Sequence, residues 1–234
     1  MRRPSKPPLC EIYKTREEWL KARGIGGSDL AVILGVSKWG SLDEIFDRLT
    51  GKAEEKADKP SERMKEGVKA EPLIRSLFAL DTRGKYEVFA PPTRGNWLWR
   101  SASEPLVTCS PDGLLLDLKT REWGGLEIKD VELVKGEDRE IWERNSLPDQ
   151  YYWQCIQYMV AIPSLEFVVL DAHLKYLAKL GDGWEFDHAE DRYFILRRKD
   201  LATAKSICWA RLREFEFIDG YVKKGIRPPL TIKL

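Results

Sequence analysis

Two runs of strand-forming residues, Val107–Leu116 and Leu126–Leu133, flank a polar connection that ends in Gly124-Gly125, and this pairing constrains the chain more than any other feature. Both runs carry apolar strand formers, and a polar linker with terminal glycines is what a hairpin needs. A hairpin closed through Asp117–Gly125 sets Ser110-Pro111-Asp112-Gly113 against Glu127-Ile128-Lys129. Side chains alternate along a strand, so Thr108, Ser110 and Asp112 should share one face and Val107, Cys109 and Pro111 the other. On the second strand Leu126 and Ile128 are expected in the core, with Glu127 and Lys129 pointing out together. Asp112 and Glu127 then converge.

An Asp on one strand followed by Glu-x-Lys on its neighbour is the minimal set for metal-dependent phosphodiester hydrolysis. Mg²⁺ takes oxygen ligands in octahedral geometry and keeps several waters. Asp112, Glu127 and the Ile128 carbonyl would supply such ligands and leave room for water and a phosphate. A second metal about 4 Å away would stabilise both attacking and leaving oxygens. Lys129 stays protonated unless desolvated, and is placed to orient or deprotonate the water. Taken singly, each piece has an ordinary structural reading. Glu-hydrophobic-Lys on an exposed strand is commonly a cross-strand ion pair, and Asp-Gly is commonly a turn.

Glu71 adds weight to the combination. A long helix is expected from Ser61 to about Leu80, with Met64, Val68, Ile74, Leu77 and Phe78 as its apolar stripe. Glu71 falls on that stripe, where a carboxylate costs several kcal/mol unless it is paired or metal-bound.

Around this centre the pattern is mixed. Trp19 marks a short helix, and Gly24–Gly27 a glycine-rich turn. Ser28 reads as the N-cap of a helix Asp29–Leu34 closed by Gly35. Ser41 caps Leu42–Leu49, which ends at Gly51, and Lys52–Lys59 is a charged loop expected to be mobile. Further strands are expected at Tyr86–Ala90, Leu98–Ala102, Leu165–His173 and Tyr193–Arg198. Pro148 opens a helix through Ala161, and a last amphipathic helix spans about Leu201–Val222. Helices, a strand meander and then helix, strand, strand, helix imply an α/β fold with a mixed sheet flanked by helices.

With 234 residues the chain suits a single domain (1–234), in which 1–18 is a basic tail and lead-in and 19–228 the core. A net charge of +1 means that any nucleic-acid contact must come from a local patch. The sequence lacks an apolar run long enough for a membrane span, and Met1–Pro8 lacks the apolar centre of a signal peptide. Cys10, Cys109, Cys155 and Cys208 are far apart, which suits free thiols in a cytoplasmic protein and excludes Cys-x-x-Cys zinc and iron–sulfur sites.

Several ordered motifs resemble the YqaJ-like viral recombinases, the lambda exonuclease-like branch of the PD-(D/E)xK nucleases. Gly24-Ile25-Gly26-Gly27-Ser28-Asp29 with Gly35 and Ser37-Lys38-Trp39 resembles the opening motif. Glu66-Gly67 and Glu71 with Arg75 resemble the second. Ser110–Gly113 and Glu127–Lys129 resemble the nuclease core, and Tyr151, Gln154, Tyr158 and Met159 the Gln-bearing helix. The resemblance runs from Trp19 to Pro228. It implies a PD-(D/E)xK restriction-endonuclease-like fold and 5′-to-3′ digestion of one strand of linear duplex DNA. Magnesium would be the cofactor, as two ions, with manganese able to substitute. Asp112, Glu127 and the Ile128 carbonyl would bind metal, Glu71 would support the second ion, Lys129 would position the nucleophile, and Gln154 would order the site.

The resemblance further implies that Ser28, Ser110 and an Arg bind the 5′-phosphate of the cut strand. The family Arg stands further upstream of its Ser than Arg23 does of Ser28, which leaves Arg23 or Lys21 to fill the place. A longer Asp112-to-Glu127 separation predicts an extended hairpin with a protruding tip over 117–125. Implied partners are duplex ends with a 5′-phosphate, a single-strand annealing protein and, as a ring-shaped homotrimer, further copies of the chain in a phage or prophage setting. Rival readings are a single-strand or structure-selective endo- or exonuclease on the same core, and a non-catalytic DNA-binding module. Trp39 and Trp123 are candidates for stacking on bases. Gln157 is expected to face solvent or a neighbouring helix, and His173 and His188 to be structural.

Overall fold

The computed structural model describes residues 6–53, 62–92, 96–134, 137–180 and 183–229. Strand β1 (Glu11–Tyr13) leads into helices α1 (Arg16–Ala22), α2 (Gly27–Ile33), α3 (Leu42–Leu49) and the long α4 (Glu62–Asp81). Next come β2 (Tyr86–Phe89), β3 (Asn96–Arg100), β4 (Thr108–Cys109), β5 (Gly113–Asp117) and β6 (Trp123–Leu133). Helices α5 (Glu137–Glu143) and α6 (Asp149–Ala161) connect to β7 (Leu165–Leu180), which turns back as β8 (Gly183–Arg197). Helix α7 (Leu201–Phe217) then widens into a π-type turn at Ile218–Val222, and the chain turns off at Gly225 (φ +64°).

The larger sheet has the order β2-β5-β6-β7-β8; its β6–β7 pair is parallel and the others antiparallel. A parallel neighbour needs a long crossover, which α5 and α6 supply. Helices cover both faces, so successive residues of β5 are all buried, as in other two-sided sheets. Leu115, Leu126, Ile128, Phe167 and Val169 meet Ile74 and Phe78 of α4. Leu114, Leu116, Val168 and Leu170 join the larger core with Ile25, Leu30, Ile156, Met159 and Ile207. A smaller sheet, β1-β3-β4, lies beside this body. Part of the expected lead-in is thus structured: β1 pairs with β3 from Glu11↔Leu98 to Tyr13↔Asn96.

The strand expected over Val107–Leu116 is broken. Pro111 has no N–H for a ladder, and the chain leaves the small sheet after Cys109 and enters the large one at Gly113. Thr108, Ser110 and Asp112 therefore do not form one continuous strand face. The hairpin is also shorter at its tip than expected. Pairing continues to Leu116↔Trp123, so Gly124 and Gly125 are strand residues and the tip is Leu118–Glu122. Gly124 serves packing, since a Cβ there would come within 2.3 Å of the Phe167 ring. Trp123 is buried against Phe89 with ring centroids 5.3 Å apart, which removes it as a base-stacking residue.

On α4, Ile74 and Phe78 are buried, but Val68 and Leu77 face solvent. The core stripe is narrower than the sequence implies, and Glu71 sits at its margin. Strands β7 and β8 extend well beyond Leu165–His173 and Tyr193–Arg198: β7 continues its alternation through buried Leu174 and Tyr176, while its tip and the facing part of β8 are solvated. Ser61, Met64 and most of the Lys52–Lys59 loop lie outside the described residues or side chains.

One buried acid stands out beneath α4. Asp171 pairs across the sheet with Ile128 and Tyr193, is fully buried, and neither carboxylate oxygen has a hydrogen-bond donor. Burial, followed by the charges of Asp191 and Asp81, pushes its carboxyl up to about 8. The folded chain holds this proton after the unfolded chain has released it. Stability is therefore lost as pH climbs from the ordinary Asp range towards 8. Asp171→Asn is expected to match wild type near pH 4 and to exceed it by about 5 kcal/mol above pH 8. Urea melts across that range check this; an Asn variant no more stable at high pH would refute the burial argument.

Candidate active site

The end of the β5–β6 ladder brings the two strand carboxylates together. The Asp112 N–H donates to the Leu126 carbonyl at 2.9 Å, and the Ile128 N–H donates to Asp112 Oδ2 at 2.7 Å. Along a strand, N–H and C=O of one residue point the same way, so the Ile128 carbonyl also turns to the Asp112 side. Arg75 of α4 donates through Nε to the Asp112 carbonyl at 2.7 Å and holds the Glu71 carboxylate with its guanidinium. That couples Glu71 to the same strand end.

Glu127 does not point out to solvent, as alternation alone implied. It is 2% exposed, because α6 covers this face of the sheet. The Tyr158 hydroxyl donates to Glu127 Oε2, and Lys129 forms an ion pair with Oε1. The Lys129 ammonium also lies 5.0 Å from the centroid of the Tyr151 ring. Residues of α6 thus clamp both members of the Glu-Ile-Lys motif.

Electrostatics at this centre are dominated by crowded acids. Burial, then the charges of Glu127 and Glu71, hold the Asp112 carboxyl well above its ordinary range. Burial raises Glu71 as well, opposed by Arg75 and reinforced by Glu127. Burial pulls Lys129 down, but Glu127 and Asp112 more than offset it, so the amine is held above its ordinary value and carries its proton. Among the described residues, no group of three His, Cys, Asp or Glu side chains is set to hold a metal ion by itself. The available donors are the Asp112 and Glu127 carboxylates and the Ile128 carbonyl, a hard, all-oxygen set with excess negative charge. That chemistry fits a hydrated divalent cation of the magnesium type.

A pocket of about 200 Å³ opens beside this centre, lined by Trp19, Arg23, Ser28, Ser110, Gln154 and Tyr158 among others. Arg23 does reach Ser28: Nη2 donates to Oγ at 2.9 Å, while the guanidinium pairs with Asp29 at 3.3 Å and lies over the Trp19 ring. Lys21 instead pairs with Glu17 on the surface of α1. Ser110 Oγ donates to the Trp97 carbonyl at 2.8 Å and accepts from the Trp19 indole at 3.2 Å. Ser28 is not an N-cap. Gly26 takes that position, and Asp29 accepts from its N–H at 2.8 Å, which leaves Ser28 in the first turn with its hydroxyl towards Arg23. Trp39, 75% exposed, stands on a neighbouring pocket of about 410 Å³ that shares Ser28 and Gln154.

The loop carrying these groups is fixed by its backbone. Ile25 forms a parallel bridge with Val107, and its carbonyl accepts from the Thr108 N–H at 2.9 Å. Gln157, expected to face solvent or another helix, is fully buried and donates to the Ile25 and Thr108 carbonyls at 3.0 and 3.2 Å. No periodicity announces this, because the partners are backbone atoms distant in sequence. The His readings hold: His173 pairs with Asp191 at 2.6 Å, and His188 stacks on Tyr176. The four cysteines are free thiols.

Solved structures with this architecture are exonucleases. The alkaline exonuclease LHK-Exo of Laribacter hongkongensis is 21% identical, with 89% of this chain and 97% of that chain covered and a TM-score of 0.55. A phage-related exonuclease from Haemophilus somnus 129PT is 14% identical over 89% of this chain and 99% of that one, also with a TM-score of 0.55. LHK-Exo in complex with dAMP matches at 20% identity and a TM-score of 0.51, covering 89% and 98%. The mixed sheet and its helices are thus the alkaline exonuclease fold. Residues 18–162 match the model of the YqaJ-like viral recombinase domain, and the chain belongs to that family. No curated protein matches the sequence.

Gly24 should be the least replaceable glycine of the loop. A Cβ there would lie 2.0 Å from the Leu106 carbonyl oxygen, whereas at Gly35 (φ +73°) it would meet open space. Gly24→Ala is expected to cost about 3 kcal/mol, and Gly35→Ala about 1 kcal/mol from backbone strain alone. Equal urea midpoints for the two variants would contradict the close approach.

Proposed function

We propose that the protein is a Mg²⁺-dependent exodeoxyribonuclease that digests one strand of linear duplex DNA from 5′ to 3′ and releases mononucleotides. The observation that carries this reading is the adjacency of two sites. One holds Asp112, Glu127 and Lys129 at the ladder end, and the other holds Arg23, Ser28 and Ser110 around a pocket that shares Tyr158 with the first. A terminal phosphate in the pocket would set the next phosphodiester over the carboxylates.

Asp112, Glu127 and the Ile128 carbonyl would hold the metal, with Glu71 contributing through water while Arg75 retains its carboxylate. When bound, the ion activates a water and neutralises phosphate charge, with Mn²⁺ able to replace Mg²⁺ and a pair of ions the expected complement. Lys129, paired with Glu127, would position the attacking water and the scissile oxygen. Tyr158 fixes one Glu127 oxygen, so the carboxylate presents a single orientation. Gln154 borders both pockets and orders the wall between them. The exposed strand would pass to a single-strand annealing protein during phage or prophage recombination in the bacterial cytoplasm. A ring of three copies would enclose the duplex.

Asp112→Ala and Glu127→Ala are expected to abolish Mg²⁺-dependent digestion of an end-labelled duplex while leaving the fold intact. The remaining carboxylate cannot hold a hard dication alone. Substantial cleavage by both variants would sink the assignment. Phosphorylated 5′ ends should be cut at least tenfold faster than hydroxyl ends, a difference of about 1.4 kcal/mol. Arg23→Ala should weaken that preference most, since it removes the pocket's cation. Ser28→Ala and Ser110→Ala should each weaken it less, and Ser28→Ala should cost no helix cap. A wild type that cuts both ends equally fast would bring the single-strand or endonuclease reading forward.

A further inference from the structure

Gln157 of α6 and Glu214 of α7 are both fully buried, and nothing in the chemistry above uses Glu214. Gln157 Nε2 donates to the carbonyls of Ile25 and Thr108. Its Oε1 then has no donor, and neither do the two Glu214 oxygens, although Gln157 lies within hydrogen-bonding reach of Glu214. Turning the Gln157 amide over would aim its oxygen at two carbonyl oxygens, so the present orientation is the one the surroundings allow. An ionised Glu214 offers only acceptors to an acceptor, whereas a neutral carboxyl supplies one O–H. We infer that Glu214 acts as a neutral acid that donates to Gln157 Oε1, and that it is a positioning residue for the 5′-phosphate pocket.

The route is short. Gln157 ties the Ile25 carbonyl to that of Thr108, and the Gly24 N–H donates to Thr108 Oγ1 at 3.1 Å. Arg23 and Ser28 flank this loop, and Ser110 follows β4 directly. The groups that face Glu214 favour the neutral form. Burial pushes its carboxyl up to about 8, reinforced by Asp29 of α2 and Glu104 ahead of β4 and opposed by Arg211 of its own helix; Gln157 would oppose it only by donating an N–H, and both of its N–H groups are committed to Ile25 and Thr108. Cys109 of β4 is near enough to feel the Glu214 charge, and burial holds that thiol well above its ordinary value. Lys223 is turned to Glu104 at 2.8 Å.

This inference rests on the phosphate-pocket reading, and the test separates the two. Wild type, Glu214→Gln, Glu214→Leu and Ser28→Ala are compared on 5′-phosphorylated and 5′-hydroxyl duplexes at about pH 7 and about pH 9. Glu214→Leu is expected to raise KM for phosphorylated ends about tenfold, with kcat and the hydroxyl-end rate unchanged. Glu214→Gln retains a donor and should keep the wild-type KM at the lower pH. The wild-type preference for phosphorylated ends should fall as pH passes about 8. The Gln variant should hold its preference, because its donor does not ionise. A Leu variant with wild-type KM, or one that loses activity equally on both ends, overturns the positioning role. Should the Leu variant fail to fold by circular dichroism, identical pH profiles for wild type and Glu214→Gln overturn it instead. No preference in wild type at either pH defeats the pocket reading itself. A preference lost in Ser28→Ala but intact in Glu214→Leu defeats this inference alone.

Discussion

The structure turns on the point where the β5–β6 ladder ends and a side chain takes over from the backbone. After the Asp112 N–H reaches Leu126, the next inward N–H, that of Ile128, has no strand carbonyl opposite it and is met by the Asp112 carboxylate. A buried N–H must be paired, so the carboxylate is held there by the fold. The same bond leaves the Ile128 carbonyl directed to an acid instead of to a neighbouring strand. Pro111 makes this possible by ending one sheet before the other begins. The geometry of the acidic centre is thus a property of how two sheets fail to join.

Charge follows from that placement. Burial raises Asp112 and Glu71, and the nearby Glu127 charge raises both further. Lys129 and Arg75 supply counter-charge, but each is committed to a carboxylate. Folding such a centre costs stability, and the two cores on either side of the sheet offset the cost.

Much of this was legible in the sequence, and the failures have physical causes. That Asp112, Glu127 and Lys129 come together was readable because two strand runs joined by a short polar connection pair as a hairpin. Capping of α3 by Ser41 was readable because it is local. The Ser28 cap was misread because Gly26 and Asp29 form the same local bonds two residues earlier. Burial of Glu127 was not visible, since alternation tells which face a residue takes but not what covers that face. Gln157 was silent because its partners are backbone oxygens, one of them more than one hundred residues away. The tip of β7 and the first half of β8 were hard to read because they are solvated and bury neither side of the strand.

Helix α6 touches both halves of the candidate site. Tyr151 underlies Lys129, Gln154 packs where a Cβ on Gly27 would come within 2.9 Å, Gln157 grips the loop, and Tyr158 holds Glu127. Their contact points are therefore spaced by helical pitch, about 1.5 Å of rise per residue, and not by the lengths of flexible loops. A rigid rod of this kind behaves as a ruler. It fixes the gap between the place that would grip a strand's end and the place that would cut it, so the length of each bite is written into a single helix.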